Sequence, residues 1–157
     1  MNALQQEYHD ALSGMQSRSI LVIGDMVADI YLDGRISRIS REAPVLVLEQ
    51  AGEKVVAGGA ANVVNNIATL GGKVHAVGLV GRDKSADGLR EILAANGADV
   101  RGLIADDSRP TISKTRIIAG GRATVSQQIV RIDRESKAPM APAVEAELRA
   151  YIKSILP

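Results

Sequence analysis

Three groups of residues have types and spacing suited to binding a polar ligand. The first is the segment Gly24-Asp25-Met-Val-Ala-Asp29, which follows a short apolar run. Ligands of open α/β sheets bind beyond the carboxyl ends of the strands, where the carboxylate of Asp25 or Asp29 can accept hydrogen bonds from ligand hydroxyls. The alternative is that either aspartate only caps a turn or a helix.

The second group is the pair Gly58-Gly59, which precedes a helical pattern containing Asn62. Paired glycines let a ligand approach the backbone closely, and the free N–H groups of a helix start can bind an anion or a polyol oxygen. Asn62 adds a donor and an acceptor. An ordinary glycine turn is the alternative. Neither a G-x-G-x-x-G nor a G-x-x-x-x-G-K-[ST] pattern is present, which disfavours a dinucleotide or P-loop nucleotide site.

The third group is a set of basic residues that could bind a phosphate. Arginine binds phosphate bidentately, and a phosphorylated sugar needs a cationic partner. The alternative is solvated charge that protects an exposed strand edge. The set comprises Arg38, Arg41, Lys114, Arg116 and Arg131.

Alternating strand and helix patterns must position these groups. Apolar runs predict strands, the first of them buried on both faces of a parallel sheet, and two helical patterns lie between or after them. The first helix is bounded by glycine pairs and the second is capped by Asp83. The strands are predicted at 19–24, 45–48 and 74–80, the helices at 60–70 and 84–96, and the first helix is predicted to turn Ala60, Val63, Val64, Ile67 and Ala68 inward.

The ends of the chain follow other patterns. A polar helix is predicted over Ala3 to Met15, and a last helix over Pro142 to Ile155. Strand-like runs at 111–118 and 124–133 flank Gly120-Gly121, which predicts a hairpin with a glycine turn. This hairpin is predicted to be an appendage to the parallel sheet.

Composition excludes several classes of protein. The 157 residues suffice for one domain, and the net charge of +1 favours neither nucleic acid nor anionic lipid as a partner. There is no Cys, and His9 and His75 lie far apart, so a metal site is not expected. We see no signal-peptide pattern and no apolar stretch that approaches a membrane span, and we therefore expect a cytoplasmic protein.

The glycine pair and the residues that follow it resemble the signature of a known family. Gly58-Gly59-Ala60-Ala61-Asn62, followed by Gly71 and Gly81, has the spacing of the first signature of the ribokinase/PfkB carbohydrate kinases, with Val64 where that family has a small residue. Four further segments resemble the D-glycero-β-D-manno-heptose 7-phosphate kinases, including the kinase half of bifunctional ADP-heptose synthesis enzymes. These segments are 24–31, 37–44, 111–116 and 127–133.

The resemblance implies a fold and a sugar site. The fold would be ribokinase-like α/β, a parallel sheet flanked by helices with a small β lid formed by strands at about 32–50 and 111–133. In such kinases the lid covers the sugar and often mediates dimer contacts, so we expect a homo-oligomer through the lid or an exposed sheet edge. Asp29 would bind sugar hydroxyls, and the same pocket would be lined by Gly58, Gly59 and Asn62. Lys114 and Arg116 are the candidates for the sugar phosphate, whereas Arg38 and Arg41 match in sequence only.

One departure limits what the chain is expected to do. The family's second signature, Gly-Ala-Gly-Asp, supplies the catalytic base and the anion hole, and it is absent here, as are the segments that would bind ATP. We therefore expect residues 1–157 to be the N-terminal part of one kinase domain, truncated and inactive alone, with no catalytic residue. ATP and Mg²⁺ are expected for the full-length protein and not for this fragment.

The expected function of the parent protein is ATP-dependent phosphorylation of heptose 7-phosphate at its anomeric hydroxyl, for ADP-heptose and lipopolysaccharide core synthesis. Two alternatives remain open on the sequence. One is a ribokinase-like kinase for another sugar or for a nucleoside. The other is a non-enzymatic binding or dimerisation module.

Overall fold

The computed structural model describes residues 2–16, 18–120 and 125–156. Two sheets and their flanking helices are built from these residues. In chain order, the elements are α1 (Ala3–Met15), β1 (Ser19–Ile23), β2 (Met26–Ile39), β3 (Leu46–Gly59), α2 (Ala60–Thr69), β4 (Lys73–Val80), α3 (Lys84–Ala95), β5 (Asp99–Ala105), β6 (Ser113–Gly120), β7 (Gln127–Arg134) and α4 (Pro142–Ile155).

The first sheet is parallel and has the strand order β1-β4-β5. The predicted strand–helix alternation is therefore present, although β5 was not predicted. Among the described residues β1 pairs on one side only, and Ile23 at its end is 56% exposed. The prediction that this strand is buried on both faces is wrong, because its two end residues are exposed and its three central residues are only half-buried.

The second sheet has the order β3-β2-β6-β7 and mixed direction. β2 pairs antiparallel with β3 and parallel with β6, and β6 pairs antiparallel with β7. The β6–β7 hairpin therefore lies outside the parallel sheet, as predicted, and it extends the second sheet beyond β2. Gly121 of the predicted glycine turn lies outside the described residues, and so does Thr124, where the second run was predicted to begin.

The core lies between α2, α3 and the strands. Leu89 and Leu93 of α3 are fully buried, as is Val64 of α2. The predicted inward face of α2 is wrong at Val63, which is 49% exposed, whereas Ala61 is fully buried. The buried residues of this helix follow i, i+3, i+7 spacing, and the small side chains among them let the helix backbone lie close to the sheet. None of the helices in the described ranges is long and apolar enough to cross a membrane.

A buried carboxylate holds the loop that follows β5. Asp106, only 3% exposed, accepts hydrogen bonds from the Ser108 N–H at 2.9 Å and the Ser108 hydroxyl at 2.6 Å. Arg109 Nε donates to the other carboxylate oxygen at 2.7 Å. The hydrogen bonds from Ser108, with that from Arg109, outweigh burial and lower the pKa of the Asp106 carboxyl.

Asp83 joins the same region to α3. Its carboxylate accepts hydrogen bonds from the N–H of Ala86 at 3.1 Å, which caps the helix, and from the N–H of Thr111 at 3.1 Å. Burial raises the pKa of Asp83, but the hydrogen bonds from Thr111 and Ala86 together lower it below its usual range. One carboxylate thus fixes both the start of α3 and the segment that leads into β6.

These lowered pKa values predict acid sensitivity. A carboxyl that titrates lower in the folded than in the unfolded chain stabilises the fold above its unfolded pKa, about 3.9, and this stability is lost as the pH falls towards the folded pKa. We expect Asp106→Asn to be less stable than the wild type at pH 7, with the difference shrinking below about pH 4. Urea unfolding followed by circular dichroism between pH 7 and pH 2.5 measures this.

Asp107→Asn is the matched control, because Asp107 is the next residue and its 73% exposed side chain pairs with the 70% exposed Arg82, a surface ion pair that contributes little to stability. Its unfolding free energy should follow the wild type across the pH range. A constant difference between wild type and Asp106→Asn at all pH values would contradict the assignment.

Candidate functional site

Asp29 lies on the inner part of β2, four residues into the strand. From the sequence, Asp29 was predicted to lie beyond the end of the first strand. The structure corrects this prediction, because β2 begins as early as Met26 and includes Asp29. Alternate residues of a strand share a face, so Asp29 lies on the same face of the second sheet as Val27 and Tyr31. This surface is called the polar face below, and it is defined by Asp29, Tyr31, Lys114 and Arg116.

Gly58 lies directly against the Asp29 carboxylate. In the β2–β3 pairing Gly58 is opposite Val27, which puts it on the same face as Asp29. A Cβ atom at position 58 would lie 2.5 Å from Asp29 Oδ2 and 2.8 Å from its Cγ. The sequence-predicted pair of carboxylate and glycine backbone is thus brought together, because only a residue without a side chain leaves room for the carboxylate.

Gly59 has a different role at the start of α2. Its φ of +56° with ψ of −133° is a conformation that L side chains rarely adopt, and a Cβ there would lie 2.7 Å from the Asp25 carbonyl oxygen. The next N–H, that of Ala60, donates to the same carbonyl at 2.9 Å. No side chain caps this helix. The diglycine therefore lets β3 pass directly into α2 while the helix start is held on Asp25.

Arg116 of β6 completes the site. Its Nη1 donates to Asp29 Oδ1 at 2.6 Å, and its guanidinium lies 5.2 Å from the centre of the Tyr31 ring, within the range of a cation–π contact. The side chains of Arg116 and Asp29 are 22% and 20% exposed. The hydrogen bond to Asp29 is the main cause that raises the pKa of Arg116.

Tyr31 was missed by the sequence reasoning. The signal that would have found it is the period of two: Tyr31 follows Asp29 by two residues, so a strand extended through both puts them on one face. In the register with β6, Tyr31 is opposite Arg116.

Lys114 adds a second positive charge beside Asp29. It is paired with Asp29 across the β2–β6 ladder and with Asp133 across β6–β7, so its side chain belongs to the polar face. Asp133 is engaged by Arg131 at 2.8 Å. Within residues 2–16, 18–120 and 125–156, Lys114 has no ion-pair partner.

The other sequence candidates lie elsewhere. Arg38 is nine residues beyond Asp29 in the same strand, roughly 30 Å away at 3.3 Å per residue, and Arg41 follows that strand; both are exposed. Asp25 lines a separate cavity of about 320 Å³. Asn62 is exposed on the first turn of α2, where its Oδ1 accepts a hydrogen bond from Asn66 at 3.4 Å; among the described residues no hydrogen bond joins it to Asp29.

The polar face is open to a ligand. A depression of about 320 Å³ next to Asp29 is lined by Tyr31, Asp33, Lys54 and Val56. The face therefore combines a carboxylate that accepts hydrogen bonds from hydroxyls, an aromatic ring, and the two cations of β6, which can bind an anion; Lys54 of β3, opposite Tyr31, is a third cation on this face. In the described part of the chain no group of three or more His, Asp or Glu side chains could hold a metal ion.

Comparison with known proteins defines the class. Residues 17–155 match the family described as pfkB family carbohydrate kinase. The chain belongs to this family.

Curated relatives with higher sequence identity share one name. The chain is 46% identical over 132 residues to the "Bifunctional protein HldE" of Citrifermentans bemidjiense, covering 84% of this chain and 26% of that protein. It is 47% identical over 138 residues to the "Bifunctional protein HldE" of Azorhizobium caulinodans, covering 87% and 28%. The chain thus spans about a quarter of the length of these curated relatives.

Solved structures show the same fold at low sequence identity. A carbohydrate kinase from Agrobacterium tumefaciens matches with a TM-score of 0.56 and 21% identity, over 74% of this chain and 35% of the other. A ribokinase from Cryptococcus neoformans in complex with ADP matches with a TM-score of 0.53 and 20% identity, over 88% and 45%. The predicted fold class, ribokinase-like α/β, is confirmed.

The contact between Asp29 and residue 58 predicts a non-additive pair of substitutions. Gly58→Ala places a methyl group against the carboxylate, and we expect it to cost about 1–3 kcal/mol of unfolding free energy. In an Asp29→Ala background most of that cost should disappear, because the group that the methyl meets is gone. Urea unfolding of the two single variants and the double variant measures the coupling.

Gly97→Ala serves as the control in both backgrounds. Gly97 has a φ of +88° but no neighbouring atom within 4 Å of an added Cβ, so its cost is conformational only and should not depend on Asp29. Additive effects of Gly58→Ala and Asp29→Ala would contradict the described contact.

Proposed function

We propose that the polar face binds the sugar of a phosphorylated heptose, and that the protein to which this chain belongs is an ATP-dependent kinase acting on heptose 7-phosphate at its anomeric hydroxyl. The observation that carries this proposal is the meeting of one carboxylate, one side-chain-free backbone and two cations on one face. The curated relatives named bifunctional HldE support the choice of a heptose.

Asp29 is the proposed partner of the sugar hydroxyls. An ionised carboxylate only accepts hydrogen bonds, and its two oxygens can take two hydroxyl donors of a sugar ring. The absence of a side chain at Gly58 leaves room for the carboxylate itself and so holds Asp29 on the polar face, where sugar hydroxyls can reach it. Gly59 and Asn62 are proposed to border the same pocket from the start of α2.

Lys114 and Arg116 are the proposed partners of the phosphate. Both are cations on the strand next to Asp29, and two residues of one strand that share a face are about 7 Å apart. Arginine can bind two phosphate oxygens in parallel, and lysine adds a point charge. A dianionic phosphate here would offset the positive charge of the face.

ATP and Mg²⁺ are proposed only for the whole protein. The Gly-Ala-Gly-Asp segment expected to activate the hydroxyl is not in this sequence, and the described residues do not form a metal-ion site. No residue of this chain is therefore assigned to the phosphoryl transfer itself. The chain's part in the reaction is to bind and orient the sugar, which contributes through positioning.

The binding test compares D-glycero-D-manno-heptose 7-phosphate with ribose, fructose and adenosine by isothermal titration calorimetry. The heptose 7-phosphate should bind most tightly. Asp29→Asn keeps the shape of the side chain but loses the charge, and its affinity should fall about tenfold or more, because charged acceptors make the stronger hydrogen bonds.

Arg38→Ala is the matched control, an exposed arginine of the same strand that lies away from the polar face, and its affinity should equal that of the wild type. Preferred binding of a neutral sugar or of adenosine would favour another ribokinase-like substrate. If none of the four compounds binds, the alternative of a non-enzymatic binding or dimerisation module is favoured.

We also propose that a second copy of the chain covers the opposite face of the second sheet. β7 is an edge strand, and its Val130 and Ile132, both on that opposite face, are 46% and 54% exposed. Exposed apolar residues on an edge strand favour pairing with another chain. The proposed dimer contact and the proposed sugar site lie on opposite faces of the same sheet, which is the sheet that would form the lid over the sugar.

Val130→Lys combined with Ile132→Lys should convert the dimer to a monomer, because two charges would be buried without partners. Light scattering at micromolar concentration measures the mass. Val125→Lys is the control, since Val125 is 90% exposed and lies before β7. A monomeric wild type would contradict the proposal.

A further inference from the structure

Arg116 and Asp29 are bonded to each other although the proposed function gives them different parts of the substrate. The guanidinium and the carboxylate are 2.6 Å apart, and about four-fifths of each side chain is buried. Asp29 Oδ1 is therefore occupied, and Oδ2 lies against the backbone at Gly58. The sugar-binding group is engaged by the phosphate-binding group before any ligand arrives.

This contact affects neutral and anionic sugars differently. A hydroxyl that is to reach Asp29 Oδ1 must replace a charge-assisted hydrogen bond with a weaker one to a neutral donor. It would also leave a largely buried guanidinium without its anion, which is costly. A phosphate removes this obstacle, because it offers Arg116 a partner of higher charge with matching bidentate geometry.

We propose that the Asp29–Arg116 ion pair is a gate that selects anionic sugars: the phosphate of the substrate takes over Arg116 and so frees Asp29 for the sugar hydroxyls. The proposal rests on the proposed function and adds to it the origin of the preference for a phosphorylated sugar. Phosphate and sugar hydroxyls then bind with positive coupling, although they occupy different parts of the face.

The neighbours of the pair suit this exchange. The Tyr31 ring lies 5.2 Å from the guanidinium carbon and can hold Arg116 on the polar face after it leaves Asp29. Lys114 is opposite Asp29 in the ladder and is without an ion-pair partner in the described ranges, so it is available to attract the same anion. Arg116 could thus exchange Asp29 for the phosphate while its guanidinium stays on the polar face.

The first test supplies the phosphate separately. D-glycero-D-manno-heptose without phosphate is titrated into the wild-type protein with and without inorganic phosphate, with sodium chloride added to equal ionic strength. Affinity for the neutral heptose should rise about fivefold or more when phosphate saturates its site, in the range usual for coupled sites. Unchanged or weaker binding in phosphate would overturn the gate.

The second test opens the gate by substitution. Arg116→Gln removes the cation, so neutral heptose should bind about fivefold more tightly than to the wild type and should no longer respond to phosphate. The same variant should bind heptose 7-phosphate more weakly. Arg149→Gln is the control, because Arg149 lies on α4, away from the second sheet, and pairs with Glu145 at 2.7 Å, and it should leave both affinities unchanged.

The outcomes of these tests distinguish failure of the gate from failure of the proposed function. One outcome would overturn the gate alone: the wild type binds heptose 7-phosphate, but Arg116→Gln binds neutral heptose no more tightly than the wild type does. This holds if the urea unfolding of the variant matches that of the wild type. If Arg116→Gln unfolds at lower urea, the phosphate titration of the wild type decides the question. Failure of the wild type to bind heptose 7-phosphate would overturn both.

Discussion

The Asp29 carboxylate occupies the space that a side chain at position 58 would otherwise fill. With Oδ2 only 2.5 Å from where a Cβ would be, the approach of the carboxylate to the backbone requires glycine at that position. The neighbouring Gly59 is required for a separate reason, a positive φ that turns β3 into α2. Two adjacent glycines therefore do two different tasks: one admits a charged group to the sheet surface, and the other connects that surface to a helix start. The remaining polar groups are arranged around this contact.

The electrostatics of the face follow from where the strands place their charges. Asp29 is one carboxylate among two cations of β6, and the partly buried setting makes its pairing with Arg116 stronger than a surface ion pair would be. The two cations of β6 therefore outnumber the one carboxylate that lies beside them. A site that keeps an excess of positive charge next to a hydroxyl-binding carboxylate suits a ligand that carries both an anion and hydroxyls, and the proposed heptose 7-phosphate has both.

Much of the fold was predictable because its elements carry strong local signals. α1 and α4 have the predicted bounds, and the glycine and aspartate caps located the ends of α2 and α3. The proximity of Asp29 and Gly58 was predictable from the motif. The full lengths of β2 and β3 were not, because neither strand carries one continuous pattern: Asp29 and Asp33 interrupt the apolar residues of β2, and the polar stretch 49–54 separates the two apolar ends of β3, of which only 45–48 was predicted as a strand. Tyr31 was missed for that reason, and Arg38 and Arg41 were grouped with the basic candidates because composition alone does not give distance along a strand.

β2 pairs with one strand that follows it directly in the sequence, β3, and with one that comes much later, β6. Its parallel neighbour in the second sheet is β6, and the Asp29–Arg116 bond spans 87 positions of the sequence. Contacts of such long range form slowly, since the intervening chain loses entropy before the pairing is made. Most of the buried core comes from the elements between them, from β3 to β5, and β2 adds Met26 and Ala28. We therefore expect the ligand-binding surface to form late in folding, when β6 returns to β2 after most of the hydrophobic core has associated.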